Sequence, residues 1–163
     1  MGGFTHESTH NESQEWYTPR SVFDALAVQF DLDVASPGKD IVDWVPAKRH
    51  MTIVDDGLLS AWQGNVWMNP PYGQDTPRWF ARFAGHPTGI ALVFARTDTM
   101  WFHKYICLCD GLLFIKGRLK FVKPNGVSSG TSGAPSMLVA RGKDNCLALQ
   151  RSKLGFYCDI IQS

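Results

Sequence analysis

The sequence predicts an α/β domain with a mostly parallel sheet flanked by helices, and three observations carry that expectation. Residues 89–95 and 111–115 are continuously apolar, as expected of strands covered on both faces. Residues 19–29 and 76–84 place their apolar side chains at helical spacing. Such strand-like and helix-like stretches alternate along 163 residues, a length that suits one domain with a proper core.

In chain order, residues 1–14 are polar and rich in His, Ser and Thr, which predicts a disordered tail before one domain over 15–163. Thr18 is suited to cap a helix with Pro19 at its first position. Val22, Phe23, Leu26, Ala27 and Phe30 then give helix 19–29 an apolar face. Residues 30–35 alternate as a short strand, ended by Ser36-Pro37-Gly38. Residues 39–50 read as a loop or a ragged helix, 51–54 as a short strand, and 58–64 as a helical turn or loop. Residues 65–68 form the next strand. Trp79, Phe80 and Phe83 mark the helix over 76–84, stopped near Gly85 and Pro87. After strand 89–95, residues 99–107 are expected to be helical. Strand 111–115 runs into 116–121, the Gly/Ser/Pro-rich stretch 124–135 reads as a mobile loop, and 136–140 and 156–161 read as strands.

No apolar run approaches the roughly 20 residues that cross a bilayer, and the N-terminus lacks a basic-then-apolar leader pattern. Position 6 is His6, so Gly2 does not open an acylation motif. Cys107, Cys109, Cys146 and Cys158 have neither Cys-x-x-Cys spacing nor partner histidines. They read as free thiols in a reducing cytoplasm, and no metal is implied. The net charge of +1 is unevenly spread. Residues 1–99 hold seven Lys and Arg against twelve Asp and Glu, a balance of −5; residues 100–163 hold nine against three, a balance of +6. A basic C-terminal part beside an acidic N-terminal part suits a polyanion held next to a cofactor pocket.

The stretch with the most chemistry is Asn69-Pro70-Pro71-Tyr72, directly after the apolar Val66-Trp67-Met68. Asn69 offers a carbonyl oxygen on a short side chain. The two prolines fix φ and carry no N–H, so they make a stiff turn whose Pro70 carbonyl is a second acceptor. Tyr72 supplies a ring to stack on and a hydroxyl. Two converging acceptors beside an aromatic plane suit a planar group bearing an NH2. The plain alternative is a strand-to-loop turn with no further role.

In order along the chain stand Glu15-Trp16-Tyr17-Thr18-Pro19, Phe30-Asp31-Leu32-Asp33-Val34-Ala35-Ser36, and Asp55-Asp56-Gly57-Leu58 with Trp62. Asn69-Pro70-Pro71-Tyr72-Gly73 follows, then Ala95-Arg96-Thr97-Asp98-Thr99 with Trp101-Phe102-His103, and Gly117-Arg118-Leu119-Lys120-Phe121. In these blocks the chain resembles the phage- and prophage-borne family of small, Dam-like DNA N6-adenine methyltransferases. The resemblance implies a Rossmann-like sheet and transfer of methyl from S-adenosylmethionine to the exocyclic N6 of adenine in DNA. It also implies a flipped base, with Asn69, Pro70, Pro71 and Tyr72 at the chemistry and Tyr72 stacked on the base. Against the cofactor it places Trp16, Tyr17, Thr18, Pro19, Asp33, Ala35, Ser36 and Asn69, with Asp56 on the adenosine hydroxyls or the adenine amine. No Gly-x-Gly follows Asp33, which departs from the wider methyltransferase pattern.

Arg96, Asp98, Trp101 and His103 lie just past strand 89–95, where they could contact the target strand or seal the pocket. Lys116, Arg118, Lys120 and Lys123 alternate with Leu119 and Phe121, a spacing that would put the cations on one strand face as a phosphate-binding stripe. The same spacing describes the solvated face of a half-buried strand. Rival readings are transfer to an RNA base or a protein glutamine, and a cofactor- or DNA-binding protein without catalysis.

Overall fold

The computed structural model describes residues 16–123, 127, 128 and 130–161. The expected tail over 1–14 and part of the loop 124–135 lie outside the described residues. Seven strands form one sheet among the described residues: β1 Phe30–Asp33, β2 Ala47–His50, β3 Val66–Met68, β4 Gly89–Phe94, β5 Gly111–Ile115, β6 Ser136–Arg141 and β7 Gly155–Asp159. Four helices accompany them: α1 Arg20–Leu26, α2 Thr76–Gly85, α3 Met100–Tyr105 and α4 Lys143–Ser152. The strand order is β2-β1-β3-β4-β6-β5-β7.

The sheet is mixed, which corrects the expectation of a mostly parallel one. Pairings β2/β1, β1/β3 and β3/β4 are parallel, whereas β4/β6, β6/β5 and β5/β7 are antiparallel and have the longer ladders. The connections explain this. Between β3 and β4 the chain crosses over through α2, as parallel neighbours require. After β5 it makes a long loop excursion and returns antiparallel beside β5 as β6. Helix α4 then carries it from β6 over β5 to β7, which runs in the direction of β6.

Both faces of the sheet are covered. Along β4, Ile90 and Leu92 point to one layer and Ala91 and Val93 to the other, the two-residue period of a strand. The first layer packs Val22, Phe23 and Leu26 of α1 and Leu149 of α4 on Phe30, Trp67, Leu113 and Leu138. The second packs Phe80 and Phe83 of α2 on Leu32, Val66, Met68 and Met137.

Three local expectations change. The strand predicted over 51–54 lies earlier, at β2. Residues 116–121 form a loop rather than a strand, with Val122 in an isolated bridge to Tyr17. Helix α1 is capped by Pro19 without a side-chain hydrogen bond, so Thr18 does not act as the cap.

Candidate active site

The site lies at the C-terminal ends of β1 and β3. From β1 the chain visits β2 on one side and then β3 on the other, so the strand order reverses here. Such a reversal is where open α/β sheets leave a crevice for a ligand.

Asp33 ends β1 with only 3% of its surface exposed. Its Oδ1 accepts from the Ala35 N–H at 3.3 Å, and its backbone carbonyl accepts from the Met51 N–H at 2.8 Å. The Ser36 N–H donates to the Met51 carbonyl at 2.8 Å, and the Gly38 N–H to Ser36 Oγ at 3.0 Å. The turn after β1 is therefore fastened to the end of β2 and to itself. Burial pushes the Asp33 carboxyl up, opposed by the nearby His50, by the Ala35 N–H and by Ser36.

The loop after β2 supplies the opposite rim. Gly57 fits because a Cβ there would lie 2.1 Å from the Val34 carbonyl oxygen and 2.6 Å from the Trp79 ring. Trp62 stacks on Trp79, its Nε1–H donating to the Gly57 carbonyl at 2.8 Å. The Arg82 guanidinium of α2 sits 4.7 Å over the Trp62 ring and donates to the carbonyls of Leu58 and Ser60.

Past β3, Asn69 is held at both ends of its amide. Nδ2 donates to the Trp16 carbonyl at 2.7 Å, and Oδ1 accepts from the Tyr72 hydroxyl at 3.1 Å. The Tyr72 ring stacks on Phe94 with centroids 4.0 Å apart, and Phe121 meets both rings edge-on. Burial pushes the Tyr72 hydroxyl up from its ordinary value. The segment before α1 completes the wall. Tyr17 and Val122 exchange two backbone hydrogen bonds of 3.0 and 2.9 Å, and Trp44 Nε1–H donates to the Thr18 carbonyl at 2.8 Å.

Together these pieces enclose a cavity of about 510 Å³, within the range of ligand pockets. Asp33, Thr18, Asn69, Pro70, Asp56 and Arg78 are among the side chains on its wall. Thr18 Oγ1 is buried and has no hydrogen-bond partner among the described residues.

The family profile described as DNA N-6-adenine-methyltransferase (Dam) matches residues 6–145. The chain belongs to the Dam family. Membership implies DNA adenine N6 methyltransferase activity. No curated protein and no solved structure matches the chain significantly.

Within this Dam family chain, the sequence-predicted residues fall at different places around the cavity. Trp16, Tyr17, Thr18, Asp33, Ala35, Ser36, Asp56, Asn69, Pro70 and Pro71 all line the cavity, and Pro19 stands just outside it. Tyr72 adjoins but does not line it, because its ring faces Phe94. Lys116, Arg118, Lys120 and Lys123 are exposed on the loop leaving β5. Two antiparallel steps separate β5 from β4, so β5 points the same way and that loop emerges at the cavity's end of the sheet. Arg96 and His103 are also exposed there, whereas Trp101 is partly buried and packs edge-on against Phe80 of the core at 4.9 Å. Sequence reasoning missed Phe94 as the partner of Tyr72, and Arg78, Asp75, Ile53 and Leu59 at the cavity mouth. Only the apolar pair Ile53-Val54, with Ile53 95% exposed, left a signal that could have been followed. No helix among the described residues is long and apolar enough to cross a membrane, and none of their His, Cys, Asp and Glu side chains cluster as a metal site would.

Proposed function

We propose that the chain transfers a methyl group from S-adenosylmethionine to the N6 amine of an adenine in DNA, flipped out of the duplex to Asn69-Pro70-Pro71-Tyr72. The parallel half of the sheet, β2-β1-β3-β4, serves as a Rossmann-like cradle for the cofactor. One observation carries the reading: a single cavity is bounded at once by Asn69 and Pro70 and by the buried carboxylate and orphaned hydroxyl of Asp33 and Thr18.

The residues present suit this cofactor. Asp33 provides a carboxylate for its cationic end, Thr18 Oγ1 lacks a partner that a ligand can supply, and Asp56 offers an acceptor for sugar hydroxyls. The apolar Val42, Val45 and Trp79 line the remainder. When bound, the cofactor supplies an electrophilic methyl on a sulfonium. Asn69 Oδ1 has two lone pairs, one of them engaged by Tyr72, so the other can accept from the adenine amine. The Pro70 carbonyl accepts no hydrogen bond among the described residues and can take the amine's second hydrogen. Two such acceptors localise the nitrogen lone pair and stabilise the positive charge that develops on it. No covalent intermediate is needed, and the proton can leave late, so no general base is assigned. Tyr72 provides the aromatic ring beside these acceptors. Arg96, Lys116, Arg118, Lys120 and Lys123 meet the phosphates, a reading that suits DNA in the cytoplasm. Labelled cofactor incubated with duplex DNA, RNA and protein tests the proposal: N6-methyladenine in DNA is expected, and cofactor binding without turnover on any of the three would overturn it.

A further inference from the structure

His50 ends β2 directly opposite Asp33 in the parallel register of β1 and β2. Its side chain is 9% exposed and that of Asp33 4%. Nδ1 lies 3.7 Å from Asp33 Oδ2 and 3.3 Å from Ser36 Oγ. Asp33 and Ser36 line the cavity and His50 does not, so the imidazole touches two wall residues from behind the wall. Nε2 is buried and has no hydrogen-bond partner among the described residues, so the polar contacts of this ring run through Nδ1, toward Asp33 and Ser36.

We infer that His50 is a positioning residue for the cofactor: it holds the turn after β1 in place and orients the Asp33 carboxyl that lines the cavity. The inference rests on the reading of that cavity as the S-adenosylmethionine site. Its physical basis is the contact of His50 with both Asp33 and Ser36, which adds a side-chain brace to a turn that backbone hydrogen bonds already fasten to the end of β2. A carboxylate this deeply buried loses hydration, which favours its neutral form; His50 Nδ1, 3.7 Å from Oδ2, works against that. The other ionisable side chains on the cavity wall are Tyr17, Asp56, Asp75 and Arg78. Arg78 is paired with Asp75 at 3.0 Å. On β2 itself Lys48 and Arg49 are exposed, and Lys48 pairs with Asp31. Among the described residues His50 is the basic side chain within 4 Å of the Asp33 carboxyl.

The test is calorimetric titration of the full chain with S-adenosylmethionine from pH 5 to 9, comparing the wild type with His50→Asn, His50→Gln and His50→Leu. An asparagine amide can stand where Nδ1 stands, whereas glutamine reaches toward the Nε2 position and leucine donates nothing. The wild type and His50→Asn are expected to share one pH profile. His50→Gln and His50→Leu are expected to bind about tenfold more weakly at neutral pH, the size of one hydrogen bond to a charged group. Their loss of binding on acidification should also begin at higher pH. A uniform weakening at every pH, or equal profiles for His50→Asn and His50→Gln, would overturn the role of His50; the asparagine–glutamine comparison stands even where His50→Leu fails to fold. Absence of binding by the wild type would instead overturn the cavity reading and this inference with it.

Discussion

Replacing Asn69 by alanine separates two quantities that one side chain serves. The amide donates to the Trp16 carbonyl at 2.7 Å and accepts from the Tyr72 hydroxyl at 3.1 Å. At about 1 kcal/mol net for each hydrogen bond, the fold should lose about 2 kcal/mol and remain folded at room temperature. Transfer should fall far more, by about 100- to 1,000-fold in kcat, the usual loss when one preorganised electrostatic contact to developing charge is removed. Asn69→Asp is the companion variant: it keeps an acceptor for Tyr72 but loses the donor and sets a carboxylate against the Trp16 carbonyl. It should be destabilised at least as much and yet transfer methyl faster than Asn69→Ala. Urea unfolding measures the first quantity, and single-turnover transfer of labelled methyl to adenine in duplex DNA the second. If Asn69→Ala stays within threefold of wild-type kcat, or if the aspartate variant is the slower, the acceptor role argued for this amide is wrong.

Three further outcomes are expected. Gly57→Ala forces a methyl against the Val34 carbonyl and the Trp79 ring and should cost about 3 kcal/mol in urea unfolding; a cost under half that would mean the loop yields freely. Arg118→Ala with Lys120→Ala should lower DNA affinity for all sequences alike and make the slope of log affinity against log salt shallower by about 2; an unchanged slope would take these cations out of phosphate contact. Burial pushes the Cys109 thiol up to about 12 and the Tyr72 hydroxyl up as well. Both groups stay neutral in the fold but ionise near pH 8.5 and about 10 once unfolded. Their contribution is thus complete below those values and is lost as pH rises through the higher folded ones. The urea midpoint should be level from pH 7 to 8 and fall above about pH 9, while Ellman's reagent at pH 8 labels exposed Cys107 well before buried Cys109.

The sequence signals were clearest where burial is two-sided. Strands β4 and β5 read directly because both faces are covered, which leaves no polar residue to break the run. Strand β2 left no such trace: Ala47-Lys48-Arg49-His50 is an edge strand with two exposed cations, and its identity comes from pairing with β1. Helix α4 was passed over because only Asn145, Cys146 and Leu149 of its ten residues are buried. The sense of β6 was hidden, since an apolar run reports that a strand is covered and not which way it points. At the site, Asn69-Pro70-Pro71 and Asp33 stood out because their chemistry is local. The engagement of Tyr72 did not, because it depends on Phe94 and Phe121, which only the folded sheet brings to it. Thr18 reads as a helix cap by residue type alone, but Pro19 provides the helix start, which leaves the threonine hydroxyl without a partner among the described residues.

The pairing of Tyr17 with Val122 joins chain positions about a hundred residues apart. During synthesis, a nascent chain that has released its first hundred residues already carries Asn69 and Trp44, which hold the carbonyls of Trp16 and Thr18. The backbone clasp between Tyr17 and Val122 must wait for the loop after β5 to emerge. The same strap ties the basic loop directly to the segment that walls the pocket, so the two share one pair of backbone hydrogen bonds.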